Sequence, residues 1–308
     1  MSEDDNDDEY FCVRKWVGKP VEISKSRFVD LKRRLDEVQR MLGIEESYDA
    51  LIQNFVELEK HLLVVALEDM IYGDTSWSEY QDLRVVYARL LKNLLSSCRA
   101  YFDHTARNLS SLPDGGEPLL TLFAERCSAA FDRSFAYRFM ESLRNHAQHF
   151  GLPIHGAMFD AKRIQKDTGD LYRYAAGANI DIKALAKNPK FKKAILEEAA
   201  DKGEKLDVFS LTREYVEEIC LVHLAVRRRS QELLVAQRDA VELEFAAWGE
   251  ASNQIGHLYA FASRRDLNRG EGLTIFFEPF DRLDKLRLRN RELHNLRYRY
   301  VSNELIPR

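Results

Sequence analysis

The sequence predicts a mainly α-helical protein, a helical bundle with a small α/β or irregular elaboration towards its C-terminal end. Apolar residues recur every three or four positions through most of the first half of the chain, and glycine and proline fall between these stretches. The chain has 308 residues, of which 45% are hydrophobic and 31% charged, so it is long enough to bury one large core or two ordinary ones.

Three helices are predicted in the first 112 residues. Residues 27–43 have leucines at helical spacing, and Gly43 is expected to end this helix. Apolar residues repeat at intervals of three or four through 47–72, and again through 78–112. The chain therefore begins as a succession of long helices.

A further helix is expected to begin near Asp132 or Ser134 and to end at about residue 150. Gly151 is predicted to be its left-handed cap, and Pro153 prevents the helix from continuing. The preceding helix is expected to begin at Pro118, just after the turn formed by residues 113–116.

The second half is less regular. Residues 156–182 predict a hairpin or an irregular excursion, 188–203 a helix, and 210–250 one long helix. The apolar run 273–280 is expected to be a buried strand, and basic residues alternating with leucines at 285–291 suggest a strand with one basic face.

These patterns divide the chain into five segments. We expect an acidic flexible tail over 1–20, a helical bundle over 21–153 and an irregular or hairpin insertion over 154–185. Residues 186–255 would supply further helices that complete the bundle, and 256–308 a basic extension with short strands.

Charge and cysteine content narrow the functional classes. The net charge of −4 means that a polyanionic partner must meet a local basic patch. No apolar run approaches the ~20 residues that span a bilayer, and the acidic N-terminus lacks the order of a secretory signal, so we expect a cytoplasmic protein without a membrane partner. The cysteines form no CxxC pair and are expected to be reduced thiols: Cys12, Cys98, Cys127 and Cys220.

The stretch LRNHAQHFGLP, residues 143–153, concentrates polar groups in the last turn of a predicted helix. Asn145 and His149 are four residues apart and share a face. Arg144 and His149 are five apart, which places them ~140° around the helix and ~7.5 Å along it. They can act on one small target only if the helix end deforms or if a second copy of the chain contributes across a two-fold axis.

The chemistry of this set suits phosphate esters. An arginine presents a permanent forked cation to phosphate oxygens, a histidine exchanges protons near neutral pH, and an asparagine can fix an imidazole tautomer or bind a phosphate oxygen. Arg144, Asn145 and His149 are therefore candidate catalytic residues for metal-independent phosphoryl-ester chemistry.

Structural explanations of the same residues stay open. His146 and His149 could neutralise free carbonyls at the helix end, and Arg144 could form an ion pair with Glu141. A zinc site is not expected, because no carboxylate with ligand spacing accompanies the histidines that could build one, His104, His146, His149 and His155.

The run Arg144-Asn-His-Ala-Gln-His149 resembles the arginine, polar residue, three variable residues, histidine signature of the HEPN superfamily of helical ribonucleases. The resemblance implies a metal-independent endoribonuclease without a cofactor, usually a homodimer with both motifs in one cleft. It implies that His149 acts on the ribose 2′-hydroxyl, that Arg144 stabilises the phosphate and that Asn145 orients one of them, giving a 2′,3′-cyclic phosphate. A toxin or antiphage-defence effector with an antitoxin or defence-system partner would fit, as would a non-catalytic dimeric interaction module.

Other polar residues could support this site or bind RNA separately. The candidates for a supporting role are His146, Gln148, Asn93 and Asp103. The basic stretch 282–299, in which tyrosines interleave with arginines, is a candidate for contact with the RNA backbone through Arg287, Arg289, Arg291 and Arg297. A solvated charged face, or pairing with the acidic N-terminal tail, is the alternative for this stretch. An RNA-binding module that does not cut is a third functional hypothesis.

Overall fold

The structure is a computed structural model, and it describes residues 9–15, 19–73, 76–113, 115–166, 169–248 and 257–302. Within these ranges the chain forms ten α-helices and seven β-strands, so the predicted mainly α-helical class is confirmed. The helices are α1 (Lys25–Tyr72), α2 (Trp77–Ser110), α3 (Gly116–Arg133), α4 (Phe135–His149), α5 (Ile182–Leu185), α6 (Lys193–Lys202), α7 (Val208–Arg229), α8 (Gln231–Ala247), α9 (Arg264–Arg269) and α10 (Glu278–Arg289). The strands are β1 (Glu9–Lys15), β2 (Val21–Glu22), β3 (Gly156–Lys166), β4 (Gly169–Asp181), β5 (Lys205–Asp207), β6 (Leu258–Ser263) and β7 (Leu273–Ile275).

Two compact units divide the chain. The first comprises residues 1–46, 104–120 and 227–290, and the second comprises 47–103, 121–226 and 291–308. The boundaries fall inside α1, α2, α3 and α7, so four helices contribute residues to both units.

The first unit contains an antiparallel sheet in the order β2-β1-β6-β7. Cys12 and Val13 of β1 pair with Phe261 and Ala260 of β6, and all four are buried. The predicted flexible tail is therefore wrong for residues 9–15, because their apolar side chains complete a sheet whose partner strand is more than 240 residues away in the sequence. Residues 1–8 lie outside the described part of the chain.

The second unit contains the helices that carry the candidate site. Its core is formed by fully buried side chains of α1, α2, α4 and α7, among them Leu51, Leu91, Phe139 and Ile219. The hairpin predicted over 156–182 is confirmed as β3 and β4, with β5 added at the edge of β4 to give the order β3-β4-β5.

Two predicted helix boundaries are wrong. Gly43 does not end a helix, because α1 continues through it with Leu42 and Ile44 buried on either side. A Cβ atom on Gly43 would lie 3.3 Å from the Asn108 side-chain nitrogen, so the glycine permits a close approach to α2. The helix expected over 210–250 is broken at Ser230, where ψ is −2° and the hydroxyl donates to the Arg227 carbonyl oxygen.

The strand predicted at 285–291 is also wrong, since these residues lie in α10 and the turn after it. Leu283 and Leu286 are three residues apart and both buried, which is the helical spacing that the alternating arginines concealed. The strand expected over 273–280 is confirmed only for β7, because α10 begins at Glu278 with Pro279 in its first turn. Among the described helices, none combines the length and hydrophobicity needed to cross a membrane.

Candidate active site

The candidate site lies at the C-terminal end of α4. The helix starts after Ser134, whose hydroxyl oxygen accepts a hydrogen bond from the Tyr137 amide at 3.1 Å. The same hydroxyl donates a hydrogen bond to the Glu214 carboxylate. The apolar stripe of the helix is buried at Ala136, Phe139, Met140, Leu143 and Ala147, whereas Phe150 is 52% exposed. The predicted left-handed cap at Gly151 is wrong, because Gly151 is not among the described glycines with a positive φ, and the C-cap residue Phe150 has a φ of −126°.

A groove of about 380 Å³ opens beside the last two turns of α4. One wall is α4 itself, and the other is the turn between α5 and α6. The lining residues are Ser142, Asn145, His146, His149 and Phe150 on the helix, and Asn188, Pro189, Lys190, Phe191 and Lys192 on the turn. The groove therefore combines two imidazoles and two amides with two lysines.

His146 belongs to the buried wall of this groove. It is 3% exposed, and its Nδ1 lies 3.1 Å from the Asn188 amide nitrogen. An amide nitrogen can only donate, so Nδ1 accepts and the neutral ring carries its proton on Nε2. The Asn188 oxygen accepts from the Lys190 amide at 3.0 Å, which fixes the turn. His146 is thus a residue that holds the two walls together.

His149 and Asn145 are the exposed polar groups of the helix wall. They are four residues apart and line the same groove, as their shared face predicts. Arg144 does not line the groove. Its guanidinium donates to Asn145 Oδ1 at 2.6 Å and to Gln148 Oε1 at 3.3 Å, and its Nε is buried without a partner among the described residues. Arg144 therefore touches the groove only through Asn145.

Two of the predicted supporting residues lie elsewhere. Asn93 is exposed on α2, and Asp103 forms an exposed ion pair with Arg99 at 2.6 Å. Neither lines the groove, whereas His146 does and Gln148 contacts Arg144. Gln148 and His146 thus remain candidates for a supporting role, the first through Arg144 and the second through the turn that it holds.

The predicted RNA-binding arginines are distributed over α10 and the segment after it. Arg287 is only 13% exposed and is paired with Glu45 at 2.8 Å, and Arg297 lies 3.7 Å from Glu214. Arg289 and Arg291 are exposed. Much of this basic stretch is therefore paired with carboxylates of the same chain and does not form a continuous cationic surface.

The turn wall was missed by sequence reasoning. Asn188-Pro189 was interpreted as the start of a helix, but α6 begins only at Lys193. The preceding residues form a turn in which Lys192 Nζ lies 5.4 Å from the centre of the Phe131 ring. The two lysines next to an Asn-Pro turn were the available signal, yet nothing in the sequence pairs them with a helix more than 40 residues earlier.

No protein-family model, curated protein sequence or solved structure matches this chain. Within the described residues, no group of three or more histidine, cysteine, aspartate or glutamate side chains is arranged to hold a metal ion. The side chains of the groove themselves define its chemistry. An exposed imidazole can move a proton, and the facing lysines and the amide can hold an anion.

Burial of His146 has a consequence for pH dependence. Burial lowers the pKa of His146 below its usual 6.5, and a hydrogen bond to the Leu152 backbone opposes this only in part. The pKa of His155 and that of His61 are lowered by burial as well. Below about pH 6.5 the histidines of the unfolded chain bind protons, whereas these buried histidines of the folded chain stay neutral. The free energy of unfolding therefore decreases as the pH falls below about 6.5.

We expect the urea midpoint to be lower at about pH 5.5 than at about pH 7.5, and the difference to shrink in His146→Gln. The matched control is His294→Gln, which alters an exposed histidine and should keep the full difference. An unchanged pH dependence in His146→Gln would show that this ring is not excluded from protonation.

Proposed function

We propose that this chain is a metal-independent endoribonuclease of the HEPN type, with the groove at the end of α4 as its active site. His149 is the acid–base group, and Asn145 with Lys190 and Lys192 holds the phosphate. Arg144 adds its charge through Asn145. The proposal extends to RNA as the substrate and to a second copy of the chain as a partner.

The observation that carries the proposal is the position of His149. It is the exposed imidazole in a groove whose other exposed polar side chains are an amide and two cations, as a reaction on a phosphodiester requires. Asn145 on the same helix face links this imidazole to the Arg144 guanidinium. If His149 only capped the free carbonyl groups at the end of α4, no lysines would be needed on the facing turn.

The reaction uses only groups of this chain and of RNA. His149 accepts the proton of a ribose 2′-hydroxyl, and the 2′ oxygen attacks the adjacent phosphorus. The bond from phosphorus to the 5′ oxygen breaks, and that oxygen takes a proton from water or from an imidazolium. The products are a 2′,3′-cyclic phosphate and a 5′-hydroxyl. The lysines and Arg144 stabilise the extra negative charge of the transition state.

The test is incubation of the purified chain with single-stranded RNA in excess EDTA, followed by analysis of the product ends. The proposal expects cleavage with cyclic phosphate ends. The same RNA with a 2′-deoxy residue at the cleaved position should stay intact, because the nucleophile is missing. Cleavage that needs a divalent cation, or that leaves a 5′-phosphate, would contradict the mechanism.

One observation favours a non-catalytic module instead. Both terminal nitrogens of Arg144 are engaged by side chains of its own helix, Asn145 and Gln148, so the guanidinium does not reach into the groove. In this alternative the groove binds an anionic partner without reaction. An RNA pool that stays intact while the protein retains it would favour the alternative over the nuclease.

A second copy of the chain is supported by the outward face of α1. Leu58 and Val65 are buried on its inner face, yet Leu63, Leu67 and Ile71 are each at least 45% exposed on the outer one. A helix that is apolar on both faces is expected to be covered on both. The most economical cover is the same face of another copy.

Charges on α1 favour an antiparallel self-pair. Lys60 and Glu68 are both exposed and lie eight residues apart, centred on Val64. Two antiparallel copies that cross at Val64 place Lys60 of each beside Glu68 of the other. No such match arises in a parallel pair, which would set like charges side by side.

We expect the protein to be a dimer in light scattering after size exclusion, and Leu67→Glu with Ile71→Glu to make it monomeric. The substitutions place carboxylates within the apolar contact, where they are not solvated. Leu243→Glu is the control, since Leu243 is 70% exposed on α8 and outside this face. A monomeric unsubstituted protein at high concentration would rule out the self-pair.

A further inference from the structure

The hairpin of β3 and β4 extends far beyond the sheet at its base. The two strands pair from Gly156↔Asn179 to Lys166↔Gly169, whereas β5 joins β4 only at Asn179–Asp181. Beyond that shared rung the hairpin has two strands. Its base is fixed to α2, because the Tyr80 hydroxyl donates to the Ala157 carbonyl oxygen at 2.8 Å.

Two cations stand directly opposite each other on this ribbon. Lys162 pairs in register with Arg173, so both side chains project from the same face, and both are exposed. Like charges at opposed positions destabilise a strand pair. In the part of the chain that the structure describes, neither forms a salt bridge, and the carboxylate of Asp160 is one position further along the same face, opposite Ala175. The ribbon therefore keeps a local excess of positive charge at a cost to its own stability.

The other face of the ribbon is aromatic. Arg163 is opposite Tyr172, and Ala161 is opposite Tyr174. The Tyr172 side chain is 54% exposed, on a two-stranded ribbon that has little apolar contact with which to stabilise itself. Cations on one face and an exposed ring beside an arginine on the other are the two components that bind unpaired nucleotides, the first through phosphates and the second by stacking.

We propose that the β3–β4 hairpin is an arm that binds single-stranded RNA, with Lys162 and Arg173 on the phosphates and Tyr172 stacked on a base. The proposal rests on the proposed ribonuclease for its choice of RNA as the polyanion, and it names the substrate class as unpaired RNA. Unpaired RNA fits better than a duplex, since an exposed tyrosine ring can stack only on a base that is free of its neighbours. The arm supplies the local basic patch that a chain of net charge −4 requires.

The experiment measures RNA affinity in the full-length His149→Ala chain, which holds RNA without cutting it. A fluorescent single-stranded oligonucleotide is titrated at several salt concentrations. In the Lys162→Gln/Arg173→Gln double variant we expect affinity to fall at least about tenfold and the salt slope to become shallower by about 1.4, from about 0.7 per lost phosphate contact. Tyr172→Ala should weaken binding at least about fivefold with an unchanged slope.

The control replaces two exposed cations of α2 in the same background, Lys92→Gln/Arg107→Gln. It should leave both affinity and slope unchanged. Because the hairpin variants could lose the ribbon itself, a second measurement uses the hairpin without those substitutions. RNA with 4-thiouridine is cross-linked to the His149→Ala chain, and we expect adducts on residues 158–174.

Equal RNA affinity in the double variant and its parent, or adducts confined to other segments, would overturn the arm. So would tighter competition by duplex DNA or by polyglutamate than by single-stranded RNA. Cleavage by the unsubstituted chain is scored separately. If the arm binds RNA but the chain does not cut it, the nuclease proposal is wrong and the RNA-binding arm is supported. If the chain cuts RNA but binding does not depend on the arm, the arm is wrong and the nuclease proposal is supported.

Discussion

His149→Ala is expected to reduce RNA cleavage by about a hundredfold to ten-thousandfold, the usual contribution of a positioned acid–base group. The ring is exposed at the end of α4, so its loss should leave the unfolding free energy almost unchanged. The loss of activity would therefore be chemical and not structural. The measurement is the single-turnover cleavage rate in EDTA, together with the urea midpoint of the same preparation.

Three further variants make this result specific. His294→Ala removes an exposed histidine outside the groove and should cut RNA at the unsubstituted rate. Arg144→Ala should also lose activity, and Arg144→Lys should restore little of it, because a lysine cannot bond to Asn145 and Gln148 at once with a planar fork. Undiminished cleavage by His149→Ala would remove the groove from the reaction, whatever the behaviour of Arg144.

The helix that carries the site was predictable because local rules agree there. Ser134 caps it, the apolar residues repeat at helical spacing, and Pro153 stops the chain from continuing. The face shared by Asn145 and His149 follows from the same geometry and is observed. The end of the helix was not predictable in the same way, because Gly151 does not adopt the left-handed conformation expected of a glycine cap.

The facing wall and the arginine geometry were not predictable from local patterns. Asn188 reaches His146 across 42 residues, and no periodicity encodes a contact of that kind. The direction of Arg144 was equally open, because its stem can deliver the guanidinium to the groove or back along α4, and neighbouring acceptors decide between them. A single helix specifies which groups share a face, whereas a groove needs a second wall.

The misread segment 285–291 failed for a related reason. Alternating basic residues suggested a strand, but Arg287 is drawn inward by Glu45, which is 1% exposed. A helix with Leu283 and Leu286 on its buried side leaves Arg287 near the same side, where the carboxylate compensates its charge. Periodicity assumes that charged residues face solvent, and a buried ion pair violates that assumption.

Glu45→Ala is expected to cost about 3–5 kcal/mol of stability, the usual effect of breaking a buried ion pair. The Glu45 carboxylate forms ion pairs with Arg227 at 2.6 Å and with Arg287 at 2.8 Å, and the two arginine side chains are only 12% and 13% exposed. Without the carboxylate, two guanidinium groups would face each other away from water. Burial already lowers the pKa of Arg287, and the negative charge of Glu45 is what opposes that shift most strongly.

Urea unfolding measures this loss, and the neighbouring residue provides the comparison. Glu46 pairs with Arg282 at 3.5 Å with both side chains about half exposed, so Glu46→Ala should cost less than about 1 kcal/mol. The two variants remove the same carboxylate from adjacent positions of one helix, where Glu45 is buried between two arginines and Glu46 is half exposed beside one. Equal losses of unfolding free energy in the two variants would mean that the cluster around Glu45 is solvated. Arg227 and Arg287 would then not need the Glu45 carboxylate to compensate their charge.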